Sequence, residues 1–472
     1  MKRRDLFRLV TLAAPGFAAY AKSALSQEKP PVPFDSPPPR EPFAMVYTRR
    51  IREMLQWIRA NQSENILEAA YAIARTVEKG NRCWGLWDLG HTEIADLFPG
   101  RNGEPEIVTP GYDPKQVKNG DLLLASSAWL RGYMDDIAKK DLFVIGSPCP
   151  WGGDIPEVGD ITPAELKLTA RPFSDIWIET NINQFGAQVK VPGSPAPLGP
   201  ESGPLGITLL WMMLADACRV LARNGKTVKV KGDEPVLTDK IPRMSLDAPL
   251  MDDYFDTVMM QLEMIGMEMG NIRKMAGLAV DSILSGGSLH VYSRYKESLA
   301  YEALNRRGGL NLAKALWDGG GYSAANGPSD GSKPAGTAKD CVIMGTYKPD
   351  DEADLKNLDL FRSLGMKVVS IGPVTRDLKV AEGNAIFRKT DVHVGRMMDT
   401  YGLFALPGFE RKICPTSGVL ATSILWAVSA EIVQQVIDRT GGNVPAINFN
   451  GALKWGMSYV YQMNAMSKSR GY

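Results

Sequence analysis

The sequence predicts an α/β protein: two tandem, doubly wound parallel-sheet domains that pair as a pseudo-dimer. Three observations predict it. The first is a repeat. Pro200-Glu-Ser-Gly-Pro-Leu-Gly-Ile-Thr-Leu-Leu-Trp-Met-Met-Leu-Ala215 returns 215 residues later as Pro415-Thr-Ser-Gly-Val-Leu-Ala-Thr-Ser-Ile-Leu-Trp-Ala-Val-Ser-Ala430, and self-similarity at a fixed offset marks a duplicated unit. The second is that the segments before each copy follow one order. The third is that short, continuous apolar strands alternate with helical patterns, as a parallel sheet covered on both faces requires.

Each half opens with a long helical pattern, Tyr47–Glu78 and Met251–Leu284, which ends near glycine at Gly80 and at Gly286-Gly287, a helix C-terminal signal. A first strand follows, Cys83–Trp87 and Ser288–Tyr292, then a polar turn and a helix, Leu89–Phe98 and Lys296–Arg306. Three more strands pair across the halves: Asp121–Ser126 with Cys341–Thr346, Leu142–Gly146 with Lys367–Ile371, and Asp175–Glu179 with Asp391–Val394. The repeated segment is the final helix of each half. The run Thr208–Ala222 is apolar enough to consider as a membrane span, but Asp216 and Arg219 interrupt it, so a buried core helix is expected and no stable span.

These elements divide the 472 residues into domains at 43–233 and 247–450, preceded by residues 1–26 and 27–42 and followed by a tail at 451–472. The start, Met1-Lys-Arg-Arg-Asp-Leu-Phe-Arg8 before a mild apolar run, resembles a twin-arginine signal peptide, so an exported, periplasmic protein is expected. Residues 27–42 hold Pro30-Pro31, Pro33 and Pro37-Pro38-Pro39, an extended proline-rich linker. Lys and Arg number 54 against 53 Asp and Glu, which argues against nucleic acid as a partner, because phosphate backbones need a concentrated positive field. Five scattered cysteines and three histidines make a poor disulfide framework and a poor metal centre; neither metal nor cofactor is called for. The stretch Asp318–Lys339, rich in Gly, Ser and Ala, reads as an insertion, either a lid or disordered. The tail holds Trp455, Tyr459 and Tyr461, suited to docking across the pseudo-dimer or against another copy in a homo-oligomer.

Gly287-Ser-Leu-His-Val-Tyr292, Leu299-Ala-Tyr-Glu302 and Arg307-Gly-Gly309 resemble the opening of sugar isomerase (SIS) domains, and Asp175–Gly225 resembles the closing part of small members of that family. The resemblance covers roughly residues 43–450, in two copies. It implies a sugar or sugar-phosphate ligand and leaves three readings open: an isomerase or related lyase, a non-catalytic sugar-binding or sensing protein, and a scaffold with degenerate sites. Export would weaken the phosphorylated reading, since free sugar phosphates are scarce outside the cytoplasm.

In a parallel sheet, ligands sit beyond the carboxyl ends of the strands, where loops and helix N-termini offer N–H groups. The first-half candidates there are Gly90-His91-Thr92 and Ser126-Ser127; the second-half candidates are Ser293, Lys296, Ser298 and Thr346. Since the second-half loops have lost glycine and hydroxyls, the first half is expected to hold the stronger site. Ser202, Thr416 and Ser417 begin the final helices, with Ser202 and Ser417 as expected caps that could also face the sugar. Aldose–ketose isomerisation needs a base to move a proton between adjacent carbons. The resemblance assigns that place to Glu302 in the second half and Asp96 in the first, and His91 is the best placed histidine for proton transfer. Each carboxylate could equally cap or pair on a helix surface. His290 and His393 fall inside strand patterns and are expected to be core histidines.

Overall fold

The computed structural model describes residues 41–87, 97, 102–126, 133–149, 171–183, 185–232, 234–238, 240–293, 299–303, 308–310, 312–314, 316, 334, 336–374, 385–399, 401–448 and 456–470. The first half comprises α1 (Phe43–Glu78), β1 (Cys83–Leu86), β2 (Glu104–Pro105), β3 (Val108–Pro110), β4 (Leu122–Ser126), α2 (Met134–Lys139), β5 (Phe143–Ser147), β6 (Ile176–Trp177), β7 (Ala187–Val189), β8 (Leu198–Pro200), α3 (Ser202–Arg223) and β9 (Val230–Lys231). The second comprises α4 (Leu250–Met264), α5 (Met269–Leu284), β10 (Leu289–Ser293), α6 (Leu299–Ala303), β11 (Ala313–Lys314), β12 (Cys341–Gly345), α7 (Glu352–Ser363), β13 (Lys367–Ile371), α8 (Ile386–Lys389), β14 (Val392–Val394) and α9 (Ser417–Thr440); α10 (Gly456–Ser469) closes the chain.

Two five-stranded sheets result, in the orders β3-β1-β4-β5-β6 and β11-β10-β12-β13-β14. All neighbours in both are parallel. The order is the same in each half, so the tandem, doubly wound parallel-sheet class expected from the sequence is the fold. The strands β3 and β11, which apolar patterning does not reveal, complete each sheet at one edge. The two-stranded pairs β2–β9 and β7–β8 are antiparallel additions.

Side chains alternate along each strand, and the alternation divides the interior. Leu122, Leu124, Ile145 and Ile176 of the first sheet, and Leu289, Val291, Ile343 and Val369 of the second, belong to one core together with buried residues of α1, α3, α4, α5 and α9. Leu123, Ala125 and Val144 lie in a separate outer cluster, as do Val342, Met344 and Val368 on the far side of the second sheet. Each sheet therefore turns an inner face to a helical core shared by both halves. The helices α3 and α9, apolar enough to span a membrane, are largely buried in that core.

Reciprocal contacts lock the halves together. The amide of Phe43, at the start of α1, donates to Gln434 Oε1 of the second half at 2.8 Å. The amide of Met251, near the start of α4, donates to Asp216 Oδ2 of the first at 2.8 Å. Gly199 N donates to Gly308 O at 2.9 Å and Cys414 N to Gly103 O at 3.0 Å, each bond crossing between halves. Gly199 and Cys414 both have left-handed backbone, at φ 85° and 62°. Within each half, beside these bonds, the hydroxyls of Tyr47 and Tyr254 donate to the carbonyls of Pro200 and Pro415. The tail docks across the junction: Tyr459 is buried, with its hydroxyl 3.0 Å from Ser194 Oγ.

One element departs from expectation. The pattern Met251–Leu284 reads as a single helix, but a 3-10 turn at Ile265–Glu268 divides it. The turn directs Glu268 inward, where Oε1 accepts from Arg396 N at 2.8 Å and Gly395 N at 3.3 Å. Those bonds hold the segment leaving β14.

Candidate functional site

The inner-face alternation identifies what stands at the carboxyl end of each strand. In the first half, Leu122 and Leu124 face the shared core, so Ser126 does too; by the same parity Ser147 follows Ile145, and Thr180 follows Ile176 and Ile178. Ser126 and Ser147 are register partners on adjacent strands. All three residues are fully buried, and their hydroxyls find no hydrogen-bond partner among the described residues. A buried hydroxyl without a partner costs on the order of 1–3 kcal/mol; three in a row are a strong departure from an ordinary core.

The N-terminus of α3 is tied to the segments that leave β1 and β6. The indole of Trp87, the residue after β1, donates to Gly206 O in the first turns of α3 at 3.0 Å. The helix starts at Ser202 and the residue capping it is Glu201. Glu201 is fully buried; Oε1 accepts from Asn183 N at 2.9 Å, and Oε2 accepts from Gln188 Nε2. Burial outweighs these two bonds and pushes the carboxyl up to about 7, because a charged form without water is penalised.

A second carboxyl reaches the same turn from the other half. Glu302 on α6 is fully buried, and its Oε1 accepts from Trp426 Nε1 on α9 at 2.9 Å. A β-carbon on Gly203 would fall 2.5 Å from that oxygen and 3.0 Å from Thr422 Cγ2. The glycine is what lets Glu302 lie against α3. Glu302 therefore neither faces bulk solvent nor ends in a surface ion pair.

The second sheet ends differently. By parity its inner face terminates in Ser293, Gly345 and Ile371. A β-carbon on Gly345 would fall 2.5 Å from Leu299 Cδ2, so α6 packs directly over that strand end. Thr346 is one residue further and therefore faces outward, its hydroxyl pointing at Gly372. Ser293 and Thr346 are thus brought to opposite faces of the sheet. Both hydroxyls, and that of Thr416, are buried without a hydrogen-bond partner among the described residues.

The capping expectation is corrected. Ser202 and Ser417 are the first helical residues, and Glu201 and Thr416 precede them as caps, with no side-chain bond to the helix amides. His290 is buried at the amino end of β10, Nε2 3.8 Å from Asp340 Oδ2, away from the strand ends where ligands sit. His393 Nδ1 lies 2.8 Å from Ser370 Oγ, and burial pushes its pKa down to about 4. Gly90, His91, Thr92, Asp96, Ser127, Lys296 and Ser298 lie outside the described residues, as do residues 1–40 and most of 318–339.

Sequence reading missed Ser147, Thr180 and Glu201. It ended the third strand at Gly146, one residue early, and so lost the hydroxyl opposite Ser126. Glu201 had a visible signal: inside the repeat, a glutamate stands where the second copy has Thr416.

Fold and site together define a class, a tandem parallel-sheet protein with a hydroxyl-lined strand end beside a helix N-terminus. No protein-family profile matches the chain. It is similar to a UPF0309 protein of Streptomyces griseus, 26% identical over 235 residues, covering 44% of this chain and 93% of that protein. Among solved structures it is similar to the C-terminal domain of glucosamine-fructose-6-phosphate aminotransferase from Francisella tularensis, with 14% identity and a TM-score of 0.43 over 86% of this chain and 98% of that one. It is also similar to a proposed sugar-binding protein from Salmonella typhimurium (11%, TM-score 0.41, over 82% and 99%). A third similar structure is tagatose-6-phosphate ketose/aldose isomerase from Escherichia coli (13%, TM-score 0.37, over 85% and 94%). At such values the fold class rests on the strand order itself.

Proposed function

We propose that this is a tandem SIS-type protein that binds a sugar or sugar derivative at the carboxyl end of its first sheet. The observation that carries the reading is the row Ser126, Ser147 and Thr180. Each hydroxyl is fully buried, all share one face, and none has a protein partner among the described residues. A polyol supplies donors and acceptors in such a row, and its binding recovers the desolvation cost that the empty hydroxyls carry. The names of the similar structures, which include a sugar-binding protein and an isomerase, agree with the ligand class. The twin-arginine-like start supports a location outside the cytoplasm, and the exposed Tyr461 of the tail supports contact with another copy.

The test is calorimetry on purified full-length protein with a sugar panel, repeated with Ser147→Ala. At least one sugar binds the wild type, and the variant binds it about tenfold more weakly, the loss of roughly one hydrogen bond. Unchanged affinity would place the ligand elsewhere.

A second reading, aldose–ketose isomerisation, is favoured by Glu302, a buried carboxyl oriented by an indole N–H at the start of α3. A base so placed could move a proton between the first two sugar carbons. NMR of each bound sugar over time checks it: turnover that Glu302→Gln abolishes while binding persists supports the enzyme, and no turnover leaves the binding protein.

A further inference from the structure

We infer that the face of α4 carrying Met260, Met264 and Met267 seats the chain's own proline-rich segment, Pro30-Pro-Val-Pro-Phe34, as an extended strap joining the start of the first half to the second. Among the described residues, Met260 is 57% exposed and Met267 82% exposed, and both stand on this face. The 3-10 turn that directs Glu268 inward leaves Met267 outward. Met264, between them at helical spacing, is partly buried against the shared core. Exposed methionines so grouped make a surface that adapts to an apolar partner.

The counterpart face in the first half is not apolar. Tyr47 and Tyr254 are equivalent residues of the repeat, 207 apart, so Met260 and Met267 stand where α1 has Glu53 and Ala60. Glu53 is exposed and pairs with Arg49 and Arg50 at 3.2 and 2.6 Å. The chain arriving beside each face differs in the same sense. The helices α1 and α4 run antiparallel: Arg59 pairs with Asp252, Arg52 with Glu263 at 3.3 Å, and a β-carbon on Gly266 would fall 3.5 Å from Met45 Cε. The segment entering α4, Ser245-Leu-Asp-Ala-Pro249, therefore arrives at the Arg59 end of α1. It is polar, with the Ser245 hydroxyl donating to Asp247 Oδ2 at 3.0 Å. The segment entering α1 arrives at the Met267 end of α4, where the described chain starts at Glu41. That segment carries Val32 and Phe34 among prolines.

The reach suffices. Seven residues of extended proline-rich chain, from Phe34 to Glu41, span about 22 Å. Met267 and Met260 lie about 10 Å apart along their helix. Proline fixes φ, so such a segment gives up little conformational freedom on docking. Val32 and Phe34 supply the apolar contacts, the ring of Phe34 against methionine sulfur. The strap lies beyond residue 26, so it stays with the protein if the twin-arginine-like start is removed.

The experiment is hydrogen-peroxide footprinting of purified protein that retains residues 27–472. Mass spectrometry reads oxidation at Met260 and Met267 in the wild type and in the double variant Val32→Ser, Phe34→Ser. Both methionines are expected to oxidise about tenfold more slowly in the wild type, the protection given by a face covered about nine-tenths of the time. That protection is unchanged by dilution of the protein. A photo-crosslinking p-benzoylphenylalanine placed at position 267 is expected to capture, within the same chain, a peptide that includes residues 30–40. Equal oxidation in wild type and variant overturns the inference. Protection lost on dilution, with cross-links between chains, assigns the face to a second copy and overturns it too. If the double variant fails to fold, the cross-link decides: capture of any other segment, or of none, removes the strap.

Discussion

The two sheets share strand order, direction and clasp, yet their inner-face ends have opposite character. In the first, β4, β5 and β6 lead to Ser126, Ser147 and Thr180, with unpartnered hydroxyls. In the second, the equivalent β12 and β13 end in Gly345 and Ile371, with Leu299 packed over Gly345, and the inner face keeps one unpartnered hydroxyl, Ser293 on β10. The difference shows which constraint acts where. Strand order, the reciprocal Gly199–Gly308 and Cys414–Gly103 bonds and the paired tyrosines keep the frame, because any loss there would unpack the shared core. The strand ends carry no such load, so one copy could fill its end with aliphatic carbon while the other kept buried hydroxyls at a cost in stability. Polar residues retained against that cost point to a ligand.

The largest expected contrast lies at the equivalent acids of the repeat. Asp216 is fully buried, pairs with the buried Arg219 at 2.5 Å and accepts from the amides that begin α4. Asp216→Ala leaves a buried guanidinium without its partner and should cost about 3–5 kcal/mol in urea unfolding. Glu431 meets Arg273 at 3.5 Å, but that arginine is half exposed, so Glu431→Ala should cost about 1 kcal/mol or less. Equal losses would mean that the clasp does not treat the two halves differently.

Next comes Glu201, which titrates where Thr416 cannot. Its carboxyl is raised from 4.5 to about 7 in the folded state, so the folded protein keeps a proton that the unfolded chain releases. Its contribution is fully present below about pH 4.5 and is lost as pH rises through 7. Glu234 shifts in the same direction, so the measurement must be a difference. Subtracting the urea-unfolding free energies of Glu201→Gln from those of the wild type between pH 4.5 and 8 should give a relative decline for the wild type, with a ceiling of about 3 kcal/mol. A flat difference would mean that Glu201 is solvated.

Much of this was legible in the sequence. The repeat gave the tandem plan because packing of α3 and α9 demands the same small and apolar residues in both copies, and continuous apolar runs gave the central strands. The strand at one edge of each sheet was not legible, since Val108–Pro110 and Ala313–Lys314 carry no pattern of their own. The faces were only half legible. With a side-chain period of two, reading a strand one residue short or long moves its last hydroxyl to the wrong side: this hid Ser147 and made Thr346 look equivalent to Ser126. The inward path of Glu302 to α3 depends on Gly203, 99 residues away in the chain, and no local pattern reveals it.

The clasp offers a smaller contrast. Gly199 and Cys414 hold the same left-handed backbone, so a side chain is tolerable there in principle. At Gly199, however, a β-carbon would fall 2.5 Å from the Tyr47 ring, and that ring is fully buried. Gly199→Ala should therefore cost about 2 kcal/mol, from left-handed strain and overpacking together, and thermal unfolding will show it. A cost below about 0.5 kcal/mol would mean that Tyr47 swings aside freely.

The smallest expected change in stability separates the halves most directly. Ser126→Ala and Ser147→Ala each remove a buried hydroxyl that has no protein partner, so neither variant loses an internal hydrogen bond. Each should raise stability, by up to about 1 kcal/mol, because the desolvation cost of the hydroxyl disappears. Ser293→Ala in the second half should do the same, for the same reason. Affinity then divides them: the first two variants lose binding of whichever sugar the wild type holds, while Ser293→Ala keeps it. Unfolding and calorimetry on the three variants give both readouts. A loss of stability in the first pair would mean that their hydroxyls serve the fold, and a loss of affinity in Ser293→Ala would move the working site to the second half.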